Sequence, residues 1–211
     1  MLAVATMLLK LKGGAMRICV FCSSSSAVGQ AYVDAAAELG RLIGQRGHSL
    51  IYGGSTAGLM GVLCDSASAA GAPVHGVIPR RLVECGVGNM AVSRLTITET
   101  MAERKTLMEQ EAEGFIALPG GFGTLEEVTE ALTQKQLRYL DAPIVFVNTN
   151  GFYDALAAFF EQLYREHFAH AAYRDTYYLG STPADALDYV ERYVSTDMPL
   201  KWVGREMTGV Q

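Results

Sequence analysis

The sequence predicts a doubly wound α/β fold: a single domain with a mainly parallel, Rossmann-like sheet flanked by helices. Three observations carry this. Short apolar runs alternate with amphipathic stretches of helix length along nearly the whole chain. The runs are apolar at consecutive positions, as strands covered on both faces by helices require. Glycine-bearing turns follow several of the runs, at the strand ends where such sheets bind ligands.

Taken in order, RICVFC (17–22) reads as the first strand, and the helical segment near 30–46 ends at Gly47. HSLIYGG (48–54) is the second strand and GLMGVLCDSASAAG (58–71) the second helix. PVHGVIP (73–79) is the third strand, closed by Pro79, and an irregular glycine-containing connection leads to a fourth, RLTIT (94–98). A helix over 100–112 precedes the fifth strand, GFIALP (114–119), and a helix over 125–140 follows it. PIVFVN (143–148) is the sixth strand, with a helix near 153–166. A short strand, TYYLG (176–180), and a helix over 183–194 complete the domain.

The chain has 211 residues, half of them hydrophobic and 18% charged, enough to bury a sizeable core. Its net charge is −5 and it has no long basic run, which argues against nucleic acid as a partner. The apolar stretch near the N-terminus is far short of the roughly 20 residues of a spanning helix, and its lysines, Lys10 and Lys12, follow rather than precede it. Residues 1–15 therefore read as a flexible extension and 16–211 as a single Rossmann-like domain, cytoplasmic and without a membrane partner. Four cysteines make no disulfide framework at this length. Cys19 and Cys22, three apart in a strand, point to opposite faces and read as core. His167 and His170 can share a helix face, but no third metal ligand accompanies them.

Three turns stand out at the predicted ligand edge: CSSSSAVG, YGGSTAGLMG and LPGGFGTLEE. None matches the dinucleotide fingerprint or the P-loop. Gly53-Gly54 and Gly120-Gly121 let backbone amides approach a ligand closely. Gly121-Phe122-Gly123-Thr124 at a helix start suits a single phosphate. The same residues admit a second reading, because Thr124-x-x-Glu127 has the capping-box spacing. Upstream, Met101, Arg104, Lys105, Met108 and Ala112 share one helical stripe. A planar, permanently charged Arg104 one helix before the glycine loop suits phosphate, ribose hydroxyl or carboxylate recognition.

FCSSSS, YGGSTAGLMG, GVIP, MAERK and above all PGGFGTLEE give the chain, from Arg17 to Tyr193, a resemblance to the Lonely Guy family. Its members are often labelled lysine-decarboxylase-like and are cytokinin riboside 5′-monophosphate phosphoribohydrolases. The resemblance implies hydrolysis of the N-glycosidic bond of an adenosine-type 5′-monophosphate, giving free base and ribose 5-phosphate, with no metal or organic cofactor. It implies Arg104 and Glu127 as the catalytic pair. It also implies substrate contacts from Lys105, Gly120, Gly121, Phe122, Gly123, Thr124 and Thr133, and a homodimer; Gly53 and Gly54, from their turn at the same sheet edge, and Met101, from the stripe it shares with Arg104, complete the candidate contacts.

The chain departs from the family pattern at Ser23, at Ser55, at Ala102-Glu103 and at Gly86, where a glutamate is usual. Two other readings compete: a carrier of a phosphorylated cofactor such as molybdenum cofactor, and a pyridoxal-phosphate lysine decarboxylase. The joint presence of Arg104 and Glu127 favours the hydrolase, and no pyridoxal-phosphate motif surrounds Lys105. The base preference is left open between AMP and its N6-modified forms.

Overall fold

The computed structural model describes residues 14–195, so most of the expected extension over 1–15 lies outside the described residues. Seven strands form one sheet: β1 (Arg17–Phe21), β2 (Ser49–Tyr52), β3 (Val74–Pro79), β4 (Arg94–Thr98), β5 (Gly114–Ala117), β6 (Ile144–Val147) and β7 (Tyr178–Gly180). Their order is β4-β3-β2-β1-β5-β6-β7, and every neighbouring pair is parallel. The expected fold is the observed one.

Among the described residues the α-helices are α1 (Gln30–Gln45), α2 (Gly58–Ala69), α3 (Arg80–Glu84), α4 (Met101–Glu111), α5 (Phe122–Gln136), α6 (Asp154–Arg165) and α7 (Pro183–Arg192). Strand side chains alternate in direction, so β1 feeds two cores. Ile18 and Val20 join Leu39, Leu63 and Leu187 from α1, α2 and α7. Cys19 and Phe21 join Met108, Val128 and Ala131 from α4 and α5 on the other face. Cys19 and Cys22 thus belong to opposite cores, as their spacing in a strand predicts.

The winding reverses at the middle of the sheet. From β1 the chain builds outward through β2, β3 and β4; α4 then carries it back so that β5 pairs with the other edge of β1. The crevice beyond the carboxyl ends of β1 and β5 is the place where such sheets bind ligands. Because α4 makes that return, anything on its first turn is delivered to the crevice. Its far end is fixed by Glu111, which pairs with Arg94 at 3.0 Å and with Nδ1 of His75 at 2.9 Å.

Several boundaries differ from those the sequence predicts. The connection after β3 contains the short helix α3, too brief to show a period. The helix expected over 125–140 runs from Phe122 to Gln136, with Gly121 as its N-cap. His167 and His170 do not share a helix: His167 lies beyond α6 at φ 62°, and His170 caps the 3-10 segment Ala171–Thr176 by accepting from the Ala172 amide.

Candidate active site

Helix α5 opens directly from the glycine loop that follows β5. Gly121 precedes it in extended conformation and no side chain caps it, so the first-turn amides have no partner within the helix. They face the crevice with no carboxylate in the first turn, which suits an anion. Gly121, Phe122 and Gly123 are exposed there, while Thr124 is buried. A Cβ on Gly120 would strike the Thr124 side chain, so this glycine lets the hydroxyl pack against the loop. Thr124 is therefore the third residue of the helix and not its cap. The Thr124-x-x-Glu127 capping box does not form.

The same spacing works as a cap one helix earlier. Thr100 is the N-cap of α4, its hydroxyl accepting from the Glu103 amide at 3.1 Å, and the Glu103 carboxylate accepts from the Glu99 amide at 2.9 Å. This fixes the entry of α4 and turns Arg104 inward, where it is 6% exposed. The Arg104 Nε donates to the carbonyl of Val77 in β3 at 3.0 Å, and Nη1 donates to Oε1 of Glu127. Glu127 is 7% exposed.

Burial pushes the Glu127 carboxyl above its ordinary pKa, and the Arg104 guanidinium pulls it back by charge and by hydrogen bond. Glu126 adds a smaller upward push and Lys105 a smaller downward one. Thr124 lies three residues before Glu127 on α5, so the amide seat and the carboxylate share one helix face.

Gly53, at the end of β2, completes this arrangement from the side. A Cβ there would collide with the Nη2 of Arg104 and lie 2.8 Å from the Met60 sulfur. The missing side chain is the space that the guanidinium fills. The loop beyond it is clamped by the segment after α3: the Asn89 amide donates to Gly54 O at 2.8 Å, and the Thr56 amide to Val87 O at 2.9 Å. Ser55 bridges to Gly88 and is buried, its hydroxyl accepting from the Ala57 amide at 3.1 Å. In the first loop the Ser23 hydroxyl accepts from the Ser25 amide at 3.0 Å. Both serines that depart from the family pattern thus brace their own loops.

The structure brings Gly53, Arg104, Glu127 and the Gly120–Thr124 seat to one crevice. Met101 stands one turn before Arg104 and is 46% exposed. Lys105 points elsewhere, pairing with Glu126 and with Glu130 at 2.6 Å. Thr133 is not brought to the pair: it is exposed, about 9 Å further along α5 than Glu127 by helical rise, and its hydroxyl donates to Thr129 O at 2.8 Å. The Val77 carbonyl is an addition that the sequence does not flag, since any residue supplies one. Among the described residues no group of three or more His, Cys, Asp or Glu is placed to hold a metal. Cys19, Cys22 and Cys64 are buried free thiols, and Cys85, at the end of α3, is exposed.

Comparison with known proteins gives two kinds of match. A family described as "Possible lysine decarboxylase" matches residues 60–190. A probable cytokinin riboside 5′-monophosphate phosphoribohydrolase of Oryza sativa subsp. japonica is 38% identical over 177 residues, covering 84% of this chain and 71% of the relative. A cytokinin riboside 5′-monophosphate phosphoribohydrolase of Arabidopsis thaliana is 36% identical over 178 residues, covering 84% of each. Among solved structures, the molybdenum cofactor carrier protein of Chlamydomonas reinhardtii aligns with a TM-score of 0.67 at 23% identity, over 84% of this chain and 97% of that one. The molybdenum cofactor binding protein of Rippkaea orientalis aligns with a TM-score of 0.62 at 21% identity, over 84% and 96%. At these identities the structural likeness is one of fold.

Proposed function

The chain belongs to the lysine-decarboxylase-like family of cytokinin riboside 5′-monophosphate phosphoribohydrolases, and from that premise we propose that it hydrolyses the N-glycosidic bond of adenosine-type nucleoside 5′-monophosphates. The products are the free base, a cytokinin or adenine, and ribose 5-phosphate. The observation that carries the reading is the buried Arg104–Glu127 pair one helical turn beyond an uncapped helix N-terminus.

The chemistry follows from that placement. The 5′-phosphate occupies the amides of Gly121 to Thr124 and holds C1′ of the ribose in register. As the bond from C1′ to the base nitrogen lengthens, positive charge builds on the ribose ring. The Glu127 carboxylate stabilises that charge through Oε2, while Arg104 holds Oε1 and fixes the orientation. Water adds its oxygen to C1′, and its proton leaves with the base nitrogen, so the atoms balance without a cofactor. Glu127 is also placed to orient this water. Gly53, Gly54, Met101 and Phe122 border the ligand in this reading. Thr133 would reach it only from outside the crevice of its own chain.

A second subunit is part of the reading. Phe159 is 53% exposed, Phe168 79% and Tyr139 81%, a set of aromatic side chains on or beside α5 and α6 that a homodimer would cover. No helix among the described residues is long and apolar enough to cross a membrane. In this role the protein works in the cytoplasm, where nucleoside monophosphates circulate and thiols stay reduced.

The test is release of free base from a panel of nucleoside monophosphates that includes AMP and N6-prenylated AMP. Glu127→Gln keeps a hydrogen-bond acceptor for Arg104 but loses the charge. It is expected to lower release by about a thousandfold while phosphate binding changes by less than about threefold. Turnover by this variant at the native rate would show that Glu127 does not have the assigned role. Tight binding of every nucleotide without any base release would point instead to a carrier.

A further inference from the structure

Arg104 and Lys105 are adjacent, yet their charged groups make separate bridges from α4 to α5. Arg104 goes inward to Glu127, and the Lys105 ammonium sits at the rim between Glu126 and Glu130, which are four residues apart on one face of α5. The Lys105 side chain is only 14% exposed, and both its acceptors are carboxylates. The two carboxylates offset the field that this ammonium would otherwise present to a phosphate. Partial burial disfavours its charge, but the hydrogen bond to Glu126 and the ion pair with Glu130 outweigh that and hold its pKa above the ordinary lysine value.

Resting on the hydrolase reading, we propose that Lys105 is a positioning residue and not a phosphate ligand. Its two-carboxylate bridge locks the N-terminal half of α4 onto α5 and thereby sets where the Arg104 guanidinium meets Glu127. The two bridges arise from consecutive residues on each helix, Arg104 and Lys105 facing Glu127 and Glu126. A slide of one helix along the other would therefore break both together. The rim bridge keeps the inner pair in register without touching substrate.

The charged groups around Glu127 are Arg104, Lys105 and Glu126, with the buried thiols of Cys19 and Cys22 close enough to feel its charge. Replacing Lys105 by a neutral residue removes one stabilising charge and leaves Glu126 unopposed. Ionisation of Glu127 then moves to higher pH.

Three variants test this: Lys105→Met, Lys105→Arg and the double variant Glu126→Gln/Glu130→Gln. Lys105→Met is expected to lower kcat about tenfold, with KM for AMP and the Kd of inorganic phosphate within about twofold of native. The acid limb of its kcat profile moves to higher pH. Lys105→Arg recovers kcat to within about threefold, since it can span the same two carboxylates. The double variant loses kcat by the same factor as Lys105→Met, and combining the two causes no further loss.

The proposal is overturned if Lys105→Met weakens phosphate binding about tenfold or more while the double variant behaves as native. It is equally overturned if Lys105→Met is native in every respect. Phosphate titration, and an NMR titration of the Glu127 carboxyl in Lys105→Met, need no turnover. If the native protein releases no base, the proposed activity fails, but these two measurements still decide the role of Lys105.

Discussion

The Arg104 guanidinium has a shaped place to lie, and Gly53 supplies it. A methyl group at Gly53 meets both Nη2 and the Met60 sulfur, and the guanidinium it pushes on is pinned by the Val77 carbonyl and by Glu127. Gly53→Ala is therefore expected to cost about 1–3 kcal/mol of stability by overpacking and to displace Arg104. A shift of about an ångström in a positioned group lowers rate by roughly a hundredfold. Base-release kinetics beside a thermal melt check both; a variant with native kcat would show that Gly53 serves the backbone alone. The pairing of Arg104 with Glu127 was legible only through the family motif, the stripe on α4 marking Arg104 alone. The reason for Gly53 was not, because it depends on a side chain 51 positions away that only the sheet order brings near.

Among the elements, α4 and α5 show how one spacing can serve two purposes. Thr100-x-x-Glu103 and Thr124-x-x-Glu127 are indistinguishable as strings, yet only the first is a cap. The difference lies upstream. Glycines before Thr124 let the helix begin three residues sooner, at Phe122, which places Thr124 inside the first turn and frees Glu127 for Arg104. Thr100→Ala is expected to lower stability by about 1 kcal/mol through loss of the cap. Thr124→Val keeps the shape but removes the hydroxyl at the seat, and is expected to weaken phosphate binding by up to about tenfold with little change in stability. Denaturant melts and phosphate titration of the two variants separate the roles; an equal stability loss in both would refute the distinction. Strand cores such as 17–21 and 144–147 were readable because burial on both faces leaves an apolar run. Helix α3 was not, since five residues without a buried side chain carry no period. The partners of Lys105 were hidden for a related reason, because Glu126 and Glu130 read as ordinary solvated charges until α4 is laid beside them.

For the molecule as a whole, the return of α4 from the sheet edge to its centre puts the pair Arg104 and Glu127 on the two helices that flank β5. The crevice opens at the strand ends, whereas the exposed aromatic residues of α6 and its neighbours lie on the helical layer of one face. Phe159→Glu is expected to shift the protein from dimer to monomer in light scattering, and a native protein that is already monomeric would remove the dimer from the reading. The thiols give this architecture a practical use. Burial pushes the Cys19 and Cys22 thiols well above their ordinary pKa, and Cys64 is enclosed in the core, which leaves Cys85 as the accessible sulfur among the four. It sits just before the segment that clamps the loop after Gly53. One maleimide dye would therefore label the native protein at a single position without engineering, next to the segment that clamps this loop.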